Sequence, residues 1–156
     1  MRKIFRIVIF ILFGIFIILQ FFQPETNRGE VTSNHIFNQE AIPDTVKILL
    51  KNACFDCHSN QTNYLWYNKI APVSWLVNKH IVAGKKELNF SDWGKLNAID
   101  KVSALGDIYD EVERKKMPLK EYTAMHKKAK LSDEQIKLLC DWTEETGAKI
   151  MSSLSE

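Results

Sequence analysis

The chain is poor in cysteine, with three thiols in 156 residues and none before Cys54. No thiol near the N-terminus means no attachment point for a bacterial lipoprotein anchor. Beyond Cys54 and Cys57 only Cys140 remains, so the second closely spaced ligand pair of a structural zinc site is missing. A thioredoxin-like dithiol needs a strand, helix and strand around its pair. No segment here alternates apolar and polar residues long enough to argue for a strand, and neither an internal repeat nor a low-complexity tract is present. Excess charge is also lacking: the 21 bases and 19 acids leave +2. Three of those bases, Arg2, Lys3 and Arg6, come before the first acid, Glu25; without them 18 bases face 19 acids. A balance near neutrality excludes the basic footprint of a nucleic-acid binder.

Residues 7–19 form an unbroken apolar run, and 4–22 is interrupted only by Arg6 and Gln20. As a helix, 4–22 spans about 28 Å, close to the thickness of a bilayer core. The expectation is a transmembrane anchor over residues 1–22, a single pass through the inner membrane with the three leading cations on the cytoplasmic side and the rest of the chain periplasmic. A cleaved signal peptide is the alternative, but the exit Gln20-Phe21-Phe22-Gln23-Pro24-Glu25 offers no small-residue cleavage site. Residues 23–43 turn polar, with Pro24, Asn27, Gly29, Ser33 and Asn34, and read as a tether. His35 falls there and reads as a solvated linker histidine with no role.

The stretch Cys54-Phe55-Asp56-Cys57-His58 concentrates the chemistry. Thiols three residues apart lie one helical turn from each other, so both reach the vinyl edges of one haem while the adjoining imidazole meets its iron. Covalent thioether attachment takes place outside the bacterial cytoplasm, consistent with the expected anchor. Before the motif, Asp44 reads as an N-cap, with Val46, Leu49, Leu50 and Ala53 at helical spacing. After it, Tyr64, Trp66 and Tyr67 crowd a loop, where they either wall a porphyrin or fill the core. Pro72 opens a helix whose stripe is Val73, Leu76, Val77, His80, Ile81 and Gly84. Ser91 is read as the cap of a further helix running to about Lys115, broken at Lys116-Met117-Pro118. Ser132 and Gln135 form a capping-box pattern for a last helix that buries Ile136, Leu139, Cys140 and Thr143. Asp133 and Glu134 suit its positive end. The fold class is therefore all-α, an N-terminal transmembrane anchor followed by a small cytochrome c-like helical haem domain over 44–156.

His58 takes the fifth position on the iron. The candidates for the sixth are Met117, placed first because it stands in a proline-stiffened loop before the terminal helix, then His80, then Met125 and His126. Cys140 reads as a buried, inert thiol. Around Met117 lie Arg114, Lys115, Lys116, Lys120, Lys127, Lys128 and Lys130 against Glu113 and Glu121. Such a patch either steers an acidic redox partner or is a solvated face.

The chain resembles bacterial haem-binding domain proteins. The matching residues are Cys54-Phe55-Asp56-Cys57-His58-Ser59-Asn60, Ile70 to Val77, His80, Gly84, Leu88 to Trp93, Met117-Pro118-Leu119, Tyr122, His126, Leu131-Ser132 and Trp142. The resemblance implies a small, largely helical domain, membrane-tethered or secreted, with covalent haem held by Cys54, Cys57 and His58. The reading that results is a monohaem c-type cytochrome with one haem c, transferring single electrons between redox partner proteins at the periplasmic face, more a carrier than an enzyme. A peroxidase-like enzyme with an open iron face and a haem-based redox or gas sensor are the alternatives.

Overall fold

The computed structural model describes residues 1–155. Among them no strand occurs; the only extended pairing is an isolated bridge between Arg28 and Gln61. Helix α1 (Arg2–Leu19) has no buried residue. No helix among the described residues is long and apolar enough to cross a membrane. This corrects the expected anchor, and with it the single-pass inner-membrane placement and the periplasmic assignment. The physical reason lies at both ends. Arg2, Lys3 and Arg6 sit inside the helix, leaving an uncharged stretch of about 20 Å against a bilayer core of about 30 Å. At the other end, the residues needed to lengthen it are tied to the domain. The Gln20 side chain accepts from Ala71 N (3.0 Å) and donates to Ala71 O (3.3 Å), and Trp75 Nε1 donates to Phe22 O at 2.6 Å.

The segment expected as a tether packs inward over its second half. His35 caps α2 (Ile36–Gln39), its Nδ1 accepting from Phe37 N at 3.2 Å. Ile36 and Ile42 are buried. His35 is itself buried against the rings of Phe37 and Phe55, at 5.0 and 5.2 Å between centroids, and is not a solvated histidine. Burial, with Lys51 nearby, lowers its pKa and favours the neutral ring. Apolar Ile36, Phe37 and Ile42 are too few to show a period, yet enough to dock a short turn.

Helix α3 (Asp44–Ala53) buries Val46, Leu49, Leu50 and Ala53, and the next turn, α4 (Phe55–His58), follows at once. A 3-10 turn at Trp66–Lys69 leads to α5 (Val73–Glu87). The following helix starts later than Ser91. Residues Phe90–Lys95 form a 3-10 turn, and Asn97 caps α6 (Ala98–Glu113) by accepting from Asp100 N at 2.9 Å. Trp93 decides the shift: it is fully buried, with Nε1 donating to Glu40 at 2.8 Å, and Glu40 also holds Lys101 at 3.0 Å. Helix α7 (Lys120–Met125) and a 3-10 turn at Lys127–Ala129 precede α8 (Asp133–Ser152). The Ser132–Gln135 capping box opens α8 as expected. Helices α6 and α8 pair, and Leu105, Ile108 and Val112 meet Leu139, Cys140 and Trp142 in one core with α3 and Phe90.

Candidate cofactor site

The backbone makes the site from one tight corner. Cys54 N closes α3 on Leu50 O at 2.9 Å, and Cys54 O then accepts from Cys57 N (3.2 Å) and His58 N (2.9 Å), starting α4. Downstream the chain is pinned to other elements. Thr62 Oγ1 donates to Asp56 O (2.6 Å), and Asn60 N donates to Ser91 Oγ (2.9 Å). Ser91, expected as a helix cap, instead holds the strap after the motif.

Helix α5 crosses α4 at Gly84. A β-carbon built there would stand 2.8 Å from Cys57 O and 3.3 Å from Cys57 Cβ, so only glycine permits this approach without displacement. The crossing brings the end of α5 to the edge of the imidazole, where His58 Nδ1 lies 3.1 Å from Leu88 O. A carbonyl only accepts, so Nδ1 carries the proton and Nε2 keeps its lone pair, the tautomer that a metal-binding histidine needs. Burial lowers the His58 pKa, against a smaller opposing effect of the Leu88 and Gly84 carbonyls, which also favours the neutral ring.

Met117 arrives from the end of α6. Helix α6 ends with Lys115 in the left-handed region at φ 53°. Lys115 N then donates to Val112 O (3.0 Å), Lys116 N to Glu111 O (2.9 Å) and Met117 N to Glu111 O (3.0 Å). This Schellman-type stop reverses the chain over the helix end. The ion pair from Lys115 to Asp133, 2.6 Å, helps hold it against α8.

Cys54, Cys57, His58, His80 and Met117 consequently line one cavity of about 500 Å³, within the range of cofactor pockets. Its other walls are largely apolar, including Leu88, Phe90, Ile108, Val112 and Leu119. Met125 and His126 do not line it; they border a smaller neighbouring cavity of about 290 Å³ that shares Ala53, Cys57, His80 and Leu119 with the first. The donor set fits a haem: two thiols one turn apart, a neutral imidazole, and a thioether and a second imidazole within the same apolar space.

Other uses of the thiols fit less well. Desolvation, with the neighbouring Cys57, pushes the Cys54 thiol up to about 12, and desolvation with Asp56 pushes Cys57 up to about 11. Both stay protonated near neutrality, the opposite of a reactive dithiol. Among the described residues no three His, Cys, Asp or Glu side chains gather to hold a metal ion by themselves. Cys140 is buried in the α8 core and its pKa is also raised, by desolvation first.

Three contributors escape a reading of spacing alone. By spacing Gly84 is one member of a stripe, and the Leu88 carbonyl has no side-chain signal at all. Asp56 lies between the two thiols, and its partner Tyr122 is far along the chain. A family model described as a haem-binding domain matches residues 14–145. No curated protein and no solved structure matches the chain.

Proposed function

The chain belongs to the haem-binding domain family, and on that premise we propose that it is a monohaem c-type cytochrome that passes single electrons between protein partners. Cys54 and Cys57 hold the haem through thioethers, His58 is the proximal iron ligand, and Met117 is the distal one, with His80 the alternative. The observation that carries this reading is the single cavity lined by both thiols, His58 and Met117. Bound haem supplies a reversible ferric–ferrous couple. The chain's own contribution is to orient and exclude. Leu88 O fixes the His58 ring through Nδ1 and increases the basicity of Nε2. The Schellman turn delivers Met117, and walls such as Phe90, Ile108 and Val112 limit water. A histidine–methionine pair supports a higher potential than two histidines.

The partner we propose is acidic. Lys120, Lys127, Lys128 and Lys130 are exposed and enter none of the ion pairs among the described residues. Arg114, Lys115 and Lys116 are each matched to an acid. The four lysines follow Met117 in the chain and favour attraction to negative charge.

A potentiometric titration of the haem-loaded chain tests the carrier role. One haem per chain, a single one-electron transition and slow carbon monoxide binding are expected. Rapid carbon monoxide binding together with peroxide turnover would instead place the protein with the haem enzymes.

A further inference from the structure

Helix α7 begins three residues after Met117 and is itself only six residues long. Such a short helix has little stability of its own, so its position depends on what it touches. We propose that the Tyr122 hydroxyl and the Asp56 carboxylate form a clasp that fixes the 117–125 segment over the cofactor cavity, making Tyr122 a positioning residue for the sixth ligand. The second half of that statement rests on Met117 being the ligand.

The contacts converge on one hydroxyl. Tyr122 OH donates to Asp56 Oδ2 at 2.8 Å and lies 3.3 Å from Asn52 O, the end of α3. Asp56 sits between the two thiols, and its other oxygen accepts from Asn63 N at 2.9 Å. The attachment turn thus presents a carboxylate already held from one side. These are the side-chain hydrogen bonds, among the described residues, by which α7 reaches α3 and α4.

A second layer keeps the Tyr122 ring in place. His126 stacks on it at 3.9 Å between centroids and 19° between planes. His126 Nδ1 donates to Tyr122 O at 3.0 Å, which leaves Nε2 to accept from Tyr67 OH at 3.2 Å. His126 Nε2 and Asp56 Oδ2 are 3.9 Å apart, too far for a hydrogen bond. Tyr67 comes from the turn before α5, so the arrangement joins four segments around the motif. Leu119, the residue before α7, lines both cavities. Movement of α7 would therefore shift the wall beside Met117.

The experiment uses the full haem-loaded chain with Tyr122→Phe, and Asp56→Asn as the second variant. Amide exchange of residues 117–125 and the rate of cyanide binding to the ferric protein are both recorded. A hydrogen bond to a partly buried carboxylate is strong enough that its loss should raise local exchange on the order of tenfold, with α8 protection unchanged. Asp56→Asn keeps an acceptor oxygen and should give a smaller rise. Cyanide binding should accelerate in Tyr122→Phe, and that acceleration should vanish when Met117→Ala is already present. Unchanged exchange in both variants overturns the clasp. Raised exchange with cyanide binding indifferent to Met117→Ala upholds the clasp and removes Met117 as the ligand it positions.

Discussion

Replacing Gly84 by alanine is expected to destabilise the protein and to cut haem attachment several-fold. Two effects oppose each other. In the interior of α5, alanine gains up to about 1 kcal/mol over glycine in helix propensity. Against this, the new methyl meets the backbone carbonyl of Cys57 at 2.8 Å, which no side-chain rotation relieves. Overpacking of this kind costs about 1–3 kcal/mol. The clash should win by up to about 2 kcal/mol, lowering the melting temperature by up to about 8 °C in a chain of this size. Gly106 provides the control. It lies within α6 with nothing within 4 Å of a built β-carbon, so Gly106→Ala should be neutral or stabilising. Thermal melts of both variants, with haem content measured beside them, separate a loss of helix packing from a loss at the attachment turn. If Gly84→Ala melted as high as Gly106→Ala with full haem content, the α4–α5 crossing would not be what holds the motif.

Met117→Ala is expected to leave haem attached while opening its distal side. A ligand that must leave before cyanide enters acts as a conformational competitor, lowering apparent affinity by the fraction of molecules already open. With a minor open state on the order of 1%, removing the sulfur should raise the apparent cyanide affinity on the order of 100-fold. The potential should fall at the same time, because thioether ligation favours ferrous iron. His80 lines the same cavity and is the other candidate. An unaltered ferric spectrum and potential in Met117→Ala, with both changed in His80→Ala, would transfer the role to His80.

How much of this was legible in the sequence varies with how local its cause is. The Cys54–His58 turn, α3, α5 and the Ser132 capping box depend on residues three or four apart, and the sequence carries that spacing directly. Met117 was placed in a turn by Pro118, which cannot continue a helix. The start of α6 is not legible in the sequence because Ser91 and Asn97 are both competent caps. The choice between them is made by Trp93, which is buried through Glu40, a residue from a segment with no visible period. The burial of His35 is hidden for the same reason, since its ring partners Phe37 and Phe55 belong to different elements. The N-terminal run has the hydropathy and total length of an anchor, with its cations at the leading end. Its three internal cations and the side-chain ties of Gln20 and Trp75 limit what its length can do. The Asp56–Tyr122 bond joins residues 66 apart and leaves no trace in local pattern.

Covalent attachment is the claim on which the rest depends. The full chain, produced together with thioether-forming haem attachment machinery, should carry one haem that stays with the polypeptide through denaturing electrophoresis. The Cys54→Ala, Cys57→Ala double variant should lose it there. Haem that left the unaltered chain under denaturation would contradict the account.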